Sequence, residues 1–174
     1  MNKIVKIILI SVVVLALAFF CYMTFTKSKS PADTAKFDQN GLAVQVDYCQ
    51  PYKKDRVVFG QLVPYGKVWR TGANEATLIE VKQDVKIAEK PLKAGKYTLW
   101  TIPNQDSWTI IINSETGQWG TMYDEKKDVL RVDVPAGKIT ETVEQFKIDF
   151  APAANGTDMQ MRWENTEVKV PVKL

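Results

Sequence analysis

The chain has 174 residues, 45% of them hydrophobic and 25% charged, with a net charge of +3, two cysteines and no histidine. The missing histidine excludes Ser-His and Cys-His nucleophile pairs, imidazole acid-base catalysis and the usual zinc sites. No Gly-Lys-Ser/Thr phosphate loop and no dinucleotide fingerprint is present either.

At the amino terminus, Lys3 and Lys6 precede an apolar run from Ile7 to Phe25, interrupted only by Ser11, Cys21, Tyr22 and Thr24. Nineteen helical residues at about 1.5 Å each rise roughly 28 Å, close to the hydrocarbon thickness of a bilayer. Residues 1–27 therefore read as an uncleaved signal anchor, a transmembrane helix. A cleavable signal peptide, whose apolar part is usually about 7–15 residues, is the alternative, and it would make the protein secreted. Phe20 before Cys21 is too bulky for lipoprotein processing. Lysines flank the run on both sides, so charge orients it weakly; long domains cross regardless of such counts, and an extracytoplasmic, periplasmic domain is expected.

Lys3, Lys6, Lys27 and Lys29 are four of the 23 basic residues, and all 20 acidic residues lie beyond Ser30. The domain thus carries 19 basic against 20 acidic residues, net −1. It lacks the electrostatic footprint of a nucleic-acid binder. With Cys21 in the apolar run, Cys49 is alone in the domain; an internal disulfide is excluded, and Cys49 reads as a small buried hydrophobe.

Residues 28–39 are polar, contain Pro31 and read as a linker. Residues 40–174 are the right length for one domain with its own core. The apolar spacing there is two. Leu42, Val44, Val46 and Tyr48 share a face, as do Phe146, Ile148 and Phe150, then Met159, Met161 and Trp163, then Val168, Val170 and Val172. Thr77–Val81, Tyr97–Ile102 and Trp108–Ile112 are apolar or β-branched on both faces and read as central strands. Turn chemistry falls between them at Ala94-Gly95, Pro103-Asn104, Thr116-Gly117, Pro135-Ala136-Gly137 and Asn155-Gly156. The fold class is all-β, an antiparallel β-sandwich of jelly-roll or immunoglobulin-like arrangement.

The stretch from Val63 to Ala76 mixes Tyr65, Lys67, Trp69, Arg70, Asn74 and Glu75 with two glycines, a composition core packing rarely needs. Arg70 can clamp a carboxylate or phosphate bidentately while Asn74 and Glu75 fix a hydroxyl or amine. The structural alternative is an internal Arg70–Glu75 pair, with Asn74 satisfying turn amides. Among the tryptophans, Trp108 and Trp163 sit in inward alternations, and Trp119 lies in a loop-like stretch as the candidate for exposure. Asp124, Glu125 and Asp128, interleaved with Lys126 and Lys127, read as a solvated turn rather than a calcium site. Asn155-Gly156-Thr157 fits a glycosylation sequon but reads as a hairpin turn.

The order of these segments resembles an uncharacterised bacterial family, the domain-of-unknown-function 2911 family. The resemblance rests on the run from Phe59-Gly60-Gln61-Leu62 to Asn74-Glu75-Ala76-Thr77, on Leu92-Lys93-Ala94-Gly95-Lys96-Tyr97-Thr98-Leu99, on Thr101-Ile102-Pro103 and on Trp108-Thr109-Ile110-Ile111. Trp119-Gly120, Tyr123-Asp124, Asp128-Val129-Leu130-Arg131-Val132 and Trp163-Glu164 continue it. Lys93 stands where the family pattern has proline. The resemblance implies a secreted or envelope-attached β-rich domain and brings no reaction, ligand or catalytic residue.

From the residues, the expected function is a membrane-anchored binding module for a small ligand, an exposed glycan or an envelope protein. Arg56, Tyr65, Lys67, Trp69, Arg70, Asn74, Glu75 and Trp119 are its candidate contacts. No cofactor and no metal is expected. One alternative is a histidine-free enzyme with Glu75 as acid or base, Lys67 or Arg70 stabilising negative charge and Asp124 as a second carboxylate. The other is a purely structural envelope domain with the loop as a polar buckle.

Overall fold

The structure is a computed structural model that describes residues 2–174. The expected anchor begins at Met1, which lies outside them. Helix α1 (Lys3–Ser28) is long and apolar enough to cross a membrane, and its most apolar window has no part buried against the rest of the chain. After it come nine strands: β1 (Ala32–Gln39), β2 (Leu42–Cys49), β3 (Thr77–Val81), β4 (Val85–Ile87), β5 (Lys90–Leu92), β6 (Gly95–Pro103), β7 (Ser107–Asn113), β8 (Asp128–Ala153) and β9 (Gly156–Lys173). The domain is all-β and every pairing between these strands is antiparallel. The segment expected as a linker differs: residues 32–39 pair along their whole length with β2, Phe37 opposite Val44, and only residues 29–31 connect helix to domain. Ala35 and Phe37 are buried at period two, a pattern hidden among charges on the outward face.

The strands hydrogen-bond in the order β1-β2-β3-β6-β7-β8-β9-β4-β5. This is a meander with one excursion, in which β4 and β5 leave the first layer to pair with the end of β9. The continuous ladder folds over on itself within β8. Residues up to Pro135 pair with β7 and residues from Ala136 pair with β9, so one strand serves both layers of a sandwich. The inward residues of both layers form one cluster, including Val44, Val46, Ile79, Ile110 and Ile112 against Phe146, Ile148, Met161, Trp163 and Val170. This is the alternation legible in the sequence, and apolar burial at about 25 cal/mol per Å² is its driving force.

Where β1 and β2 pack against the second half of β8, Tyr48 is buried and its hydroxyl accepts from the Ile148 backbone N–H at 2.8 Å. Phe37 lies 6.2 Å from Phe150 and Tyr48 5.8 Å from Phe146. A smaller cluster of Ala76, Trp100 and Ile111, with Ile102 and Tyr123 packed on it, covers the outer face of the first layer. It explains why β6 and β7 are apolar on both faces.

Candidate functional site

Between β2 and β3 the chain runs for 27 residues without a long strand, crossing one end of the sandwich. Backbone bonds pin it there. Lys53 N–H donates to the Glu144 carbonyl (2.7 Å), Gly66 N–H to Pro103 (3.0 Å), and Trp69 and Thr101 exchange both of theirs (2.7 and 2.9 Å). Thr71, Thr77 and Thr101 are buried beneath it, with Thr71 and Thr101 hydroxyls 3.1 Å apart and Thr77 donating to the Thr71 carbonyl at 2.9 Å. Gly72 has no room for a Cβ, which would stand 2.9 Å from the Cys49 carbonyl oxygen.

This crossing forms one wall of a cleft of about 310 Å³, lined by Tyr52, Lys54, Arg56, Leu62, Trp69 and Arg70 together with Lys29, Ser30 and Trp163. Four of the lining residues are cationic and none is acidic. Trp69 and Trp163 make the apolar floor; their rings stack 5.9 Å apart at 18°, and the Trp69 indole N–H donates to the Gly72 carbonyl at 3.1 Å. Phe146 and Trp108 pack edge-on to Trp69 at 5.0 and 6.0 Å. Trp69 is thus half embedded in the core and offers an edge, not an open stacking platform.

Arg70 is the electrostatic centre. Its side chain is half-buried, its Nε is fully enclosed without a hydrogen-bond partner, and among the described residues it makes no ion pair. Burial alone pulls its pKa below the usual arginine value. The Arg70–Glu75 pair raised from the sequence is not formed. Glu75 faces the other way, onto a shallow recess of about 200 Å³ lined also by Asp33, Asp47, Tyr48 and Cys49, where the Cys49 thiol approaches its carboxylate at 3.9 Å. Gly120 supports Arg70 from below: a Cβ there would stand 2.6 Å from the Asn74 carbonyl oxygen and closer still to Arg70 Cδ.

Of the other cations, Arg56 is held by backbone rather than by a carboxylate, donating to the Lys53 carbonyl at 3.0 Å and to the Tyr52 carbonyl. Of the nearby acids, Glu144 accepts the Lys54 N–H at 2.7 Å, and Glu164 is 3.8 Å from Lys53 and accepts the Val58 N–H. Backbone strain gathers at the same place. Lys54 (φ 52°), Thr71 (φ 54°), Asn74 (φ 60°) and Glu164 (φ 54°) are left-handed, and each lines the cleft or adjoins a residue that does. Such conformations cost of order 1–3 kcal/mol each and persist where surrounding structure over-determines them, characteristically at binding sites.

The structure therefore brings Arg56, Trp69 and Arg70 together and separates the rest. Asn74 donates to the Ser30 carbonyl at 3.4 Å and acts as a brace. Tyr65 lines a different recess, of about 190 Å³, with Asn104, Asp106 and Lys138. Lys67 is exposed and lines neither, and Trp119 is half-buried and pairs its backbone with Glu75. Sequence reasoning missed Lys29, Tyr52, Lys54 and Leu62. The basic run Tyr52-Lys53-Lys54-Asp55-Arg56 was the visible signal for Tyr52 and Lys54. Trp108 and Trp163 are buried as expected, and Asp124 caps a short 3-10 turn, Glu125–Lys127. Asp128 accepts from Tyr123 (2.6 Å), Arg131 (2.6 Å) and Asn113 (2.8 Å). No group of three His, Cys, Asp or Glu side chains among the described residues is placed to hold a metal.

A family model described as a protein of unknown function (DUF2911) matches residues 30–172. The chain belongs to this DUF2911 family. The match begins two residues after α1 and runs to the penultimate residue of β9, so it covers the sandwich. No curated protein and no solved structure matches the chain.

Proposed function

We propose that this member of the DUF2911 family is a membrane-anchored binding module, its domain held on the extracytoplasmic side by α1, and that the Arg70 cleft takes a small anionic ligand through a phosphate or carboxylate group. The observation that carries the reading is Arg70: a half-buried arginine whose Nε is enclosed without a hydrogen-bond partner, in a cleft with three further cations and no acid. A guanidinium pays a desolvation penalty when buried, and a bidentate oxyanion removes it. Trp69, Trp163 and Leu62 supply the apolar wall for the rest of the ligand. Retention of α1 is supported by an apolar run longer than a cleavable signal requires.

Among the described residues, none of α1 belongs to the core, so residues 29–174 serve as the test domain. Its thermal midpoint is measured against inorganic phosphate, glycerol 3-phosphate and citrate at constant ionic strength. At least one should raise the midpoint saturably in the wild type and leave Arg70→Met unmoved. No response to any of them, or an equal response in Arg70→Met, would sink the reading.

A further inference from the structure

The cleft does not open at an arbitrary place on the domain. Lys29 and Ser30, which line it, are the first two residues after α1. Lys29 follows the last apolar residue of the run, Phe25, by four positions, about 6 Å of helix rise. Its ammonium folds back over the Phe25 ring, 4.6 Å from the centroid. With the apolar run across a bilayer, Lys29 stands among the lipid headgroups, and so does the mouth it lines. Only residue 31 separates Ser30 from β1, so the domain has no slack with which to move that mouth away.

The crossing segment around the cleft has the composition of an interfacial surface. Tyr52 (38%), Val57 (48%) and Leu62 (40%) are exposed apolar side chains, interleaved with Lys54 and Arg56. Aromatic and aliphatic side chains beside Lys and Arg settle at the boundary between headgroups and acyl chains. Tyr65 and Val68 are exposed further along the same crossing, and elsewhere the domain exposes Met122, Val129 and Leu174. Resting on the anion-binding reading, we infer that the ligand of the Arg70 cleft is the phosphodiester headgroup of an anionic phospholipid from the membrane that holds α1. Arg70 and Arg56 take the phosphate oxygens, Lys29 and Lys54 close the rim, and Tyr52 and Leu62 rest against the glycerol and upper acyl chains. The lipid thereby clamps the domain against the bilayer in one orientation.

The test uses the full chain in nanodiscs of phosphatidylcholine alone and of phosphatidylcholine mixed with phosphatidylglycerol, reading the unfolding midpoint by tryptophan fluorescence. Phosphatidylglycerol should raise the wild-type midpoint by about 4–8 °C, the shift for a ligand at roughly 10- to 100-fold its Kd. The increment should vanish in Arg70→Met and persist in Lys90→Gln, a control on the edge strand β5. An increment of equal size in Arg70→Met would mean surface charge alone and overturn the inference. No increment with phosphatidylglycerol, but a rise when glycerol 3-phosphate is added to phosphatidylcholine discs, would overturn the lipid source and leave the anion-binding reading standing. If neither probe moves the midpoint, both readings fall.

Discussion

Replacing Arg70 by methionine should make the unliganded domain more stable. Most substitutions of a buried arginine remove an ion pair or several hydrogen bonds, whereas Arg70 has neither among the described residues, only an enclosed Nε and a pKa lowered by burial. Methionine keeps the aliphatic stem that lies on Gly120 and removes the unpaid charge. Replacing fully buried ion pairs with apolar side chains returns about 1–4 kcal/mol. Arg70 is only part-buried, which discounts the gain to about 1–2 kcal/mol, or about 3–6 °C for a domain of this size. The assay is calorimetric or fluorescence-detected unfolding of residues 29–174 in a buffer free of phosphate and polycarboxylates, because an occupying anion would mask the effect. A midpoint lowered by more than about 3 °C would refute the reasoning, since it would mean that the guanidinium holds the fold together.

Tyr48→Phe leaves the buried Ile148 N–H without its acceptor and should cost about 1–3 kcal/mol, measured as a fall in denaturant midpoint at unchanged m. Gly120→Ala crowds the Asn74 carbonyl and the Arg70 stem; it should lower stability by about 1–3 kcal/mol and, by displacing Arg70, weaken any anion-induced stabilisation. Burial pushes Tyr48 and Tyr123 up to about 12, with hydrogen-bonded carboxylates adding to it. Between about pH 10 and 12 the unfolded chain releases those protons while the native state keeps them, so stability is full below that window and falls through it. Absorbance titration at the phenolate band should show two late-titrating tyrosines, and Tyr48→Phe should lose less stability than wild type across the same range.

The sandwich was legible because burial has a period. Phe146, Ile148, Met159, Met161 and Trp163 announce their faces one by one, and the structure pairs Ile148 with Met161 and Phe150 with Met159. Strand β1 was not legible as a strand, since only Ala35 and Phe37 mark its inner face among Asp33, Thr34, Lys36 and Asp38. Those charges suit the end of a ladder, where they discourage pairing with another chain. For the site, sequence chemistry singled out Arg56, Trp69 and Arg70 but grouped them with residues that merely neighbour them in sequence. In a loop with left-handed turns at Thr71 and Asn74, consecutive side chains leave in different directions, so Arg70 and Glu75 end on separate recesses. Lys29 reaches the cleft only because β1 brings the start of the domain to the edge of β2, a tertiary fact without a local signature.

The single strand that turns from one layer into the other also governs the order in which the domain can form. Tyr48 waits for Ile148, and the β4–β5 ribbon waits for Val172 at the far end of the chain. A polypeptide emerging from its amino terminus can assemble the early hairpins, yet it has no opposing layer to close upon until nearly its last residue is made. Folding of this kind is late and all-or-none, slowed by the loop entropy of distant partners. A truncation of even the final few residues should therefore leave the unit open rather than slightly weakened, and handlers of unfolded chains would meet nearly its entire length at once.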